Sequence, residues 1–352
     1  MNADKNVVKD NVFMQRCLEL AANGMGKVSP NPMVGAVIVY EGEVIGEGYH
    51  KQWGKAHAEV NAIQSVRYPE LFRGSTLYVN LEPCVHTGKT PPCTDLILEK
   101  RIPRVILGSS DPNPLVAGKG MRKLKENGVI VKSGILEEEC RELNRRFFTY
   151  HIHKRPYIIL KWAQTRDGFI DTLREPDESI GVNWISNSLS QMLVHKWRSE
   201  EQAILIGTNT VITDNPQLTV RHWEGTNPIR IILDRKLRVP STAAVFSNAA
   251  PTWVMNGVKS EKVNSTEWIE TRINEKNLQP VLTYLYNREI QSLIVEGGKE
   301  LLEYFINNEF WDEARVFIGN KSFGKGVQVP VISGEKRHDL NILSDTLLIF
   351  RR

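Results

Sequence analysis

The stretch "EPCVHTGKTPPC", residues 82–93, follows the apolar run "STLYVNL" (75–81) and sets two thiols, Cys84 and Cys93, at the ends of one loop. The run before it reads as a strand, and Cys93 opens a helix that extends to Lys100. Upstream, "HAEVNAI" (57–63) offers His57 and, two residues on, Glu59. Read alone, it is an ordinary amphipathic helix start. Zinc takes four ligands, and a catalytic site uses three from the protein and keeps the last for water. One histidine and two cysteines fill that count, with His57 at the start of one helix and Cys93 at the start of another. Helix N-termini stabilise thiolates through exposed N–H groups and the macrodipole.

Glu59 then falls beside the water position without being a ligand. This is the H-x-E … P-C … C pattern of the zinc deaminases, in which the metal acidifies a water and the glutamate shuttles protons. A closed structural site would need a fourth ligand, which His86 could supply, but it leaves Glu59 without a purpose. Most deaminases space their cysteines Cys-x-x-Cys. Here eight residues, "VHTGKTPP", intervene, and His86, Lys89 and Thr90 among them suit a phosphate or a purine-like ring.

The chain is long enough, at 352 residues, for two domains, and its formal charge of +4 is too mild for a nucleic-acid footprint. No run of about 18 apolar residues is present, so no membrane span is expected. "MNADKNVVKDNVFMQ" lacks the apolar core of a secretory signal, which makes the cytoplasm the expected compartment. Cys17, Cys84, Cys93 and Cys140 suggest metal binding or plain burial rather than a disulfide framework.

Along the chain, Phe13, Cys17, Leu20 and Ala21 recur at helical spacing until Gly24 and Gly26 stop the pattern, and "MVGAVIVY" and "GEVIGEGY" form a hairpin about "EGE". The strand "RVILGS", a helix near Met121–Glu126 and a strand "VIV" follow. The predicted boundary lies between about Tyr150 and Pro156, in a basic connector where His151 and His153 read as linker or strand. A second alternation of strands and helices begins at "YIILKWA" and lacks the G-x-G-x-x-G dinucleotide fingerprint.

"SPNPMVGAVIV", "HAEVNAI", "EPCVHTGKTPPC" and "DPNPLVAGKG" together resemble the bifunctional riboflavin-biosynthesis deaminase/reductase family, over nearly the whole chain. The resemblance implies a cytidine-deaminase-like α/β/α domain over residues 1–150. It implies a dihydrofolate-reductase-like α/β domain over 156–352, with Zn2+ and NADPH as cofactors. It implies that His57, Cys84 and Cys93 bind zinc and that Glu59 moves the proton. Asn31, His86 and Lys89 become substrate contacts, with Asp111 and Asn113 weaker ones. The implied substrate is a phosphorylated pyrimidine, with no nucleic acid or membrane as partner, and the implied assembly is a homo-oligomer.

In the second half, "LKWAQTRDGFID", "NWIS", "KWRS", "ILIGTNTVITDNPQLTVR", "RIILD" and "VEGG" appear in the family's order. By that resemblance Gln164, Trp184, Thr210, Asp214 and Gly298 contact the cofactor. Gly297 and Gly298 end a strand and open a helix, where bare N–H groups can meet phosphates. "GTNTVITDNP" reads as a turn. Arg198, Leu218, Arg221 and Glu296 match substrate positions, and arginine suits bidentate capture of phosphate. Asp214 and Glu296 are the candidates for general acid.

Two departures stand out. Val182 occupies a substrate position where the family has serine, and the loop before it, "TLREPDESIG", is long. Arg235 replaces a small hydroxyl residue at a cofactor position and is expected to pair with the 2′-phosphate of NADPH. Three alternatives remain open. One is a deaminase with a degenerate reductase domain, suggested by Val182. A nucleic-acid deaminase is opposed by the cysteine spacing, and the last is a zinc-scaffolded binding protein without activity.

Overall fold

"GAVIVY" and "EVIGEGY" pair as antiparallel strands Gly35–Tyr40 and Glu43–Tyr49. Glu41 and Gly42 turn the chain, both with positive φ, as a two-residue hairpin requires. The computed structural model describes residues 2–85, 91–173, 181–272 and 277–352, with side chains from residue 8 onward. The chain divides into two compact units, Met1–His153 and Lys154–Arg352.

In the first unit the hairpin continues into a five-stranded sheet. Gly35–Tyr40 pairs antiparallel with Thr76–Leu81, which is followed by parallel strands Arg104–Ser109 and Ile130–Lys132. Strand residues alternate between two cores because successive side chains point to opposite faces. Ala36, Ile38, Leu77 and Val79 meet the helix Ala58–Ser65 on one side. Val37, Val39 and Tyr78 meet Met14 and Cys17 of the helix Asn2–Ala22 on the other. Cys17 and Cys140 are buried there. The helix Ala58–Ser65 lies so close to the hairpin that a Cβ on Gly48 would come within 2.5 Å of the Ala62 nitrogen.

His151 and His153 lie on a helix, Arg145–His153, rather than in the expected linker or strand. The reason is packing one helical turn apart: the His151 ring meets Phe147 edge-on at 4.4 Å, and Phe147 is itself buried.

The second unit is built on a ten-stranded sheet. Seven strands run parallel, in the order Thr266–Glu270, Thr252–Asn256, Ile229–Leu233, Ala203–Gly207, Ser292–Glu296, Tyr157–Gln164 and Glu313–Ile318. The four central ones, Ile229–Leu233, Ala203–Gly207, Ser292–Glu296 and Tyr157–Gln164, are rich in Ile, Leu and Val, which suits burial on both faces. Antiparallel strands finish both edges, and the outer one, Glu335–Ile342, is charged and almost wholly exposed, a composition that discourages edge pairing.

"GTNTVITDNP" is not a simple turn. Thr208–Asp214 forms a helix that starts after Gly207 and ends at Asn215 in the left-handed conformation, φ 42°. Its hydroxyl and β-branched residues are poor helix formers, but burying Val211 against the sheet outweighs propensity. Gly298 stands at the N-cap of the helix Lys299–Asn307, separated by Gly297 from the strand that ends at Glu296.

The replacement Gly48→Val is expected to destabilise the first unit by about 1–3 kcal/mol or more, because the added side chain must displace helix backbone. Differential scanning calorimetry would show the lowered transition, with the second unit's transition unchanged.

Candidate active sites

His57 occupies the N-cap of its helix in an extended conformation, so its ring projects beyond the first turn instead of along the helix. Cys93 opens the helix Cys93–Glu99 directly after Pro92. Cys84 follows the strand Thr76–Leu81, and its carbonyl accepts hydrogen bonds from both the backbone N–H and the hydroxyl of Thr94, each at 3.2 Å. These elements bring the three ligand atoms within 4.8 Å of one another. His57 Nδ1 lies 3.3 Å from Cys93 Sγ and 3.6 Å from Cys84 Sγ. Zinc bonds of about 2.0–2.1 Å to nitrogen and 2.3 Å to sulfur, at tetrahedral angles, separate N and S by about 3.5 Å. The donor set and its spacing therefore fit a zinc ion.

The Cys93 N–H also points at Cys84 Sγ, 3.3 Å away. The neighbouring Cys93 thiol holds the Cys84 thiol far below its usual value, while Cys84 and burial push Cys93 up. A coordinated dication would deprotonate both. Glu59 is 3% exposed. Burial raises its pKa and nearby His57 only partly opposes this, so the carboxyl accepts a proton more readily than an exposed glutamate.

Asn31 belongs to a polar pair that sequence reading missed. Its amide Nδ2 lies 3.0 Å from Nε2 of His50, a residue 3% exposed whose ring meets His57 edge-on at 5.5 Å. His50 Nδ1 faces the Ala56 carbonyl at 3.0 Å, which can only accept, so the proton sits on Nδ1 and Nε2 accepts from Asn31. Burial lowers the His50 pKa and favours this neutral form. Asp111 is also buried, which pushes its carboxyl up to about 7. Asn113 donates its N–H to Asp111, and Glu82 receives three backbone N–H groups from Asp111, Gly118 and Met121. Glu82 thus holds the "DPNPLVAGKG" loop in place. His86 and Lys89 lie outside the described residues.

The second unit contains a cleft of about 600 Å3. Val182, Trp184, Arg198, Thr210, Asp214, Leu218, Arg221, Glu296 and Gly298 all line it. Gln164 and Arg235 do not. The Gln164 side-chain oxygen accepts from Trp162 Nε1 at 2.9 Å, and Arg235 is exposed beyond the strand Ile229–Leu233. Thr210 Oγ1 accepts the Gly298 N–H at 3.2 Å, which joins the starts of two helices.

The centre of the cleft is an ion cluster. Glu296 and Lys161 stand opposite each other on adjacent parallel strands, with Lys161 Nζ 3.7 Å from Glu296 Oε2. Arg198 grips the same carboxylate with Nη2 at 3.0 Å and Nε at 3.4 Å. Burial alone would raise the Glu296 pKa, but Arg198 and Lys161 outweigh it and hold it at about 2. Glu296 is therefore a fixed carboxylate, which removes it as a candidate general acid. Lys161, which sequence reading missed, is lowered by burial and by Arg198. A lysine inside the apolar strand "YIILKWA" was the available clue. Asp171, Asn183, His195 and His222 also line the cleft and were missed.

A family model described as the RibD C-terminal domain matches residues 156–346, and one for the cytidine and deoxycytidylate deaminase zinc-binding region matches residues 7–109. The riboflavin biosynthesis protein RibD of Aquifex aeolicus is 42% identical across 97% of this chain and 98% of its own. The chain belongs to the RibD family of riboflavin biosynthesis proteins. Among solved structures, a diaminohydroxyphosphoribosylaminopyrimidine deaminase/5-amino-6-(5-phosphoribosylamino)uracil reductase from Thermotoga maritima has a TM-score of 0.88. It is 39% identical, covering 98% of this chain and 99% of its own. Acinetobacter baumannii RibD has the same TM-score at 30% identity, with the same coverage. The RibD architecture here is thus a deaminase-type zinc-binding unit followed by a reductase unit.

Because the Glu296 pKa is depressed, its carboxylate contributes stability that is fully present above the ordinary glutamate value of about 4.3 and lost as pH falls through about 2. The stability difference between wild type and Glu296→Gln is expected to shrink over that window, as chemical denaturation at successive pH values would show.

Proposed function

We propose that the chain catalyses two successive steps on one phosphorylated pyrimidine. The first unit removes the 2-amino group of 2,5-diamino-6-ribosylamino-4(3H)-pyrimidinone 5′-phosphate by hydrolysis. The second reduces the ribosyl group to ribityl with NADPH. The observation that carries this reading is a His–Cys–Cys cluster beside a buried acid, joined in one chain to a cleft with a fixed carboxylate and a partly buried lysine. The near-full-length likeness to the Thermotoga enzyme supports the choice of substrate.

In the first site His57, Cys84 and Cys93 hold zinc, which when bound supplies an activated water at neutral pH. Glu59 takes the proton from that water on its carboxylate and passes it to the ring nitrogen and then to the departing amine. Asn31, whose amide is oriented by His50, contacts the ring, and His86 and Lys89 complete the substrate contacts.

In the second site Gly298, Thr210, Asp214 and Trp184, which line the cleft, would bind NADPH, which when bound supplies the hydride. Arg198 and Arg221 recognise the substrate phosphate, Leu218 and Val182 border the substrate, and Glu296 orients Lys161. Lys161 Nζ would supply the proton taken up by the sugar ring oxygen as its bond to the anomeric carbon opens. The reading includes a cytoplasmic homo-oligomer with no nucleic-acid or membrane partner, and the free state of all four cysteines supports that compartment.

Glu59→Gln is expected to cut ammonia release by about 100-fold or more while leaving bound zinc, measured by atomic absorption, unchanged. The same variant should still oxidise NADPH when given the already deaminated substrate. Ammonia release at the wild-type rate would contradict the deaminase mechanism. Separately, Arg235→Ala is expected to narrow the preference for NADPH over NADH by about tenfold, through loss of one arginine–phosphate contact. Steady-state kinetics with both cofactors would read this, and an unchanged preference would exclude a 2′-phosphate contact.

A further inference from the structure

His195 sits on the helix Ser188–Glu200, one turn before Arg198, and is 5% exposed. Its Nδ1 accepts the backbone N–H of Arg221 at 3.1 Å. His195, Arg198, Arg221 and His222 all face the cleft, and the rings of His195 and His222 meet edge-on at 4.8 Å.

The segment carrying Arg221 needs outside support. Asn215 and Leu218 both hold positive φ, 42° and 56°, in a region side-chain-bearing residues seldom adopt. Four donors or acceptors from elsewhere fix it in order along the chain. Arg230 Nη1 reaches the Gln217 carbonyl at 3.4 Å, and Arg198 Nη1 the Thr219 carbonyl at 3.4 Å. Asn227 Oδ1 accepts the Val220 N–H at 2.7 Å, and His195 accepts the Arg221 N–H. His195 is thus the anchor at the arginine itself. The Arg221 guanidinium then bonds Thr219 Oγ1 at 3.1 Å, within the same segment.

We propose that His195 is a positioning residue for substrate phosphate: its bare Nδ1 fixes the Arg221 backbone so that the two arginines converge on one anion. This rests on the reductase reading above. The role requires a neutral ring protonated on Nε2, because Nδ1 must accept. The surroundings enforce that state. Burial, Arg198, Arg221 and His222 press the His195 pKa down to about 4, against a weaker opposing pull from Glu296.

Asparagine can place an oxygen near the position of a histidine Nδ1, whereas glutamine places one near Nε2. His195→Asn should therefore keep the anchor, and His195→Gln and His195→Ala should lose it. With the deaminated pyrimidine phosphate and NADPH, the Gln and Ala variants are expected to raise KM about tenfold with kcat within about twofold. The Asn variant should stay within about twofold of wild type. With the dephosphorylated substrate, all four proteins should share one KM. Ammonia release by the first unit and NADPH binding check folding in each preparation.

An active wild type with His195→Asn as impaired as His195→Gln would overturn the anchor alone. So would an equal KM penalty on the dephosphorylated substrate. A wild-type protein that oxidises no NADPH would overturn the reductase reading and the anchor together.

Discussion

His57 Nδ1 reaches within 3.3 and 3.6 Å of two sulfurs because two helices begin beside the end of one strand. That convergence depends on how closely the His57 helix can lie on the hairpin. Gly48 permits the approach: its missing Cβ would sit 2.5 Å from the Ala62 nitrogen. A helix displaced by the width of a methyl group would carry His57 out of coordination range of the thiols. The ring position is thus set by backbone packing remote from the chemistry, which is how a rigid scaffold keeps a ligand cluster preorganised. Glu59 rides on the first turn of the same helix, so one packing decision places both the His57 ring and the buried carboxyl.

The second unit solves a different electrostatic problem. A carboxylate, an ammonium and a guanidinium share a largely buried position at the end of adjacent strands. Taking three charges out of water is costly unless each is paired. Here Glu296 sits between two cations, and the cluster leaves a net positive charge facing the cleft, to which Arg221 adds. A site of this sign suits an anionic substrate, and two helices begin at its edge, after Gly207 and Gly298.

Much of this was legible in the sequence where a residue's role follows from its spacing. The H-x-E pair and the two cysteines specify a ligand count that the fold brings together. The turn at Glu41–Gly42 and the alternating strands on either side of it follow from local chemistry. What escaped reading was decided by burial between distant segments. The helix Thr208–Asp214 is hidden behind residues of poor helix propensity, and the one at His151 depends on an edge-on contact with Phe147. His50 and Lys161 are unremarkable as letters. Their significance comes from pairing with Asn31 and from standing opposite Glu296, contacts across 19 and 135 residues of chain. Glu296 shows the converse. It was legible as a site residue, but its state was not, because Arg198 and Lys161 fix its ionisation only in the folded unit.

The central claim is that one chain holds two chemically independent sites, of which the first alone needs a metal. Removing zinc by chelation and following ammonia release and NADPH oxidation separately tests it most directly. The account predicts that the stripped protein stops releasing ammonia from the diaminopyrimidinone phosphate yet still oxidises NADPH when supplied with the deaminated pyrimidine phosphate, and that added zinc restores the first activity. Ammonia release that persists without metal, or NADPH oxidation of the deaminated substrate that disappears with it, would contradict the account.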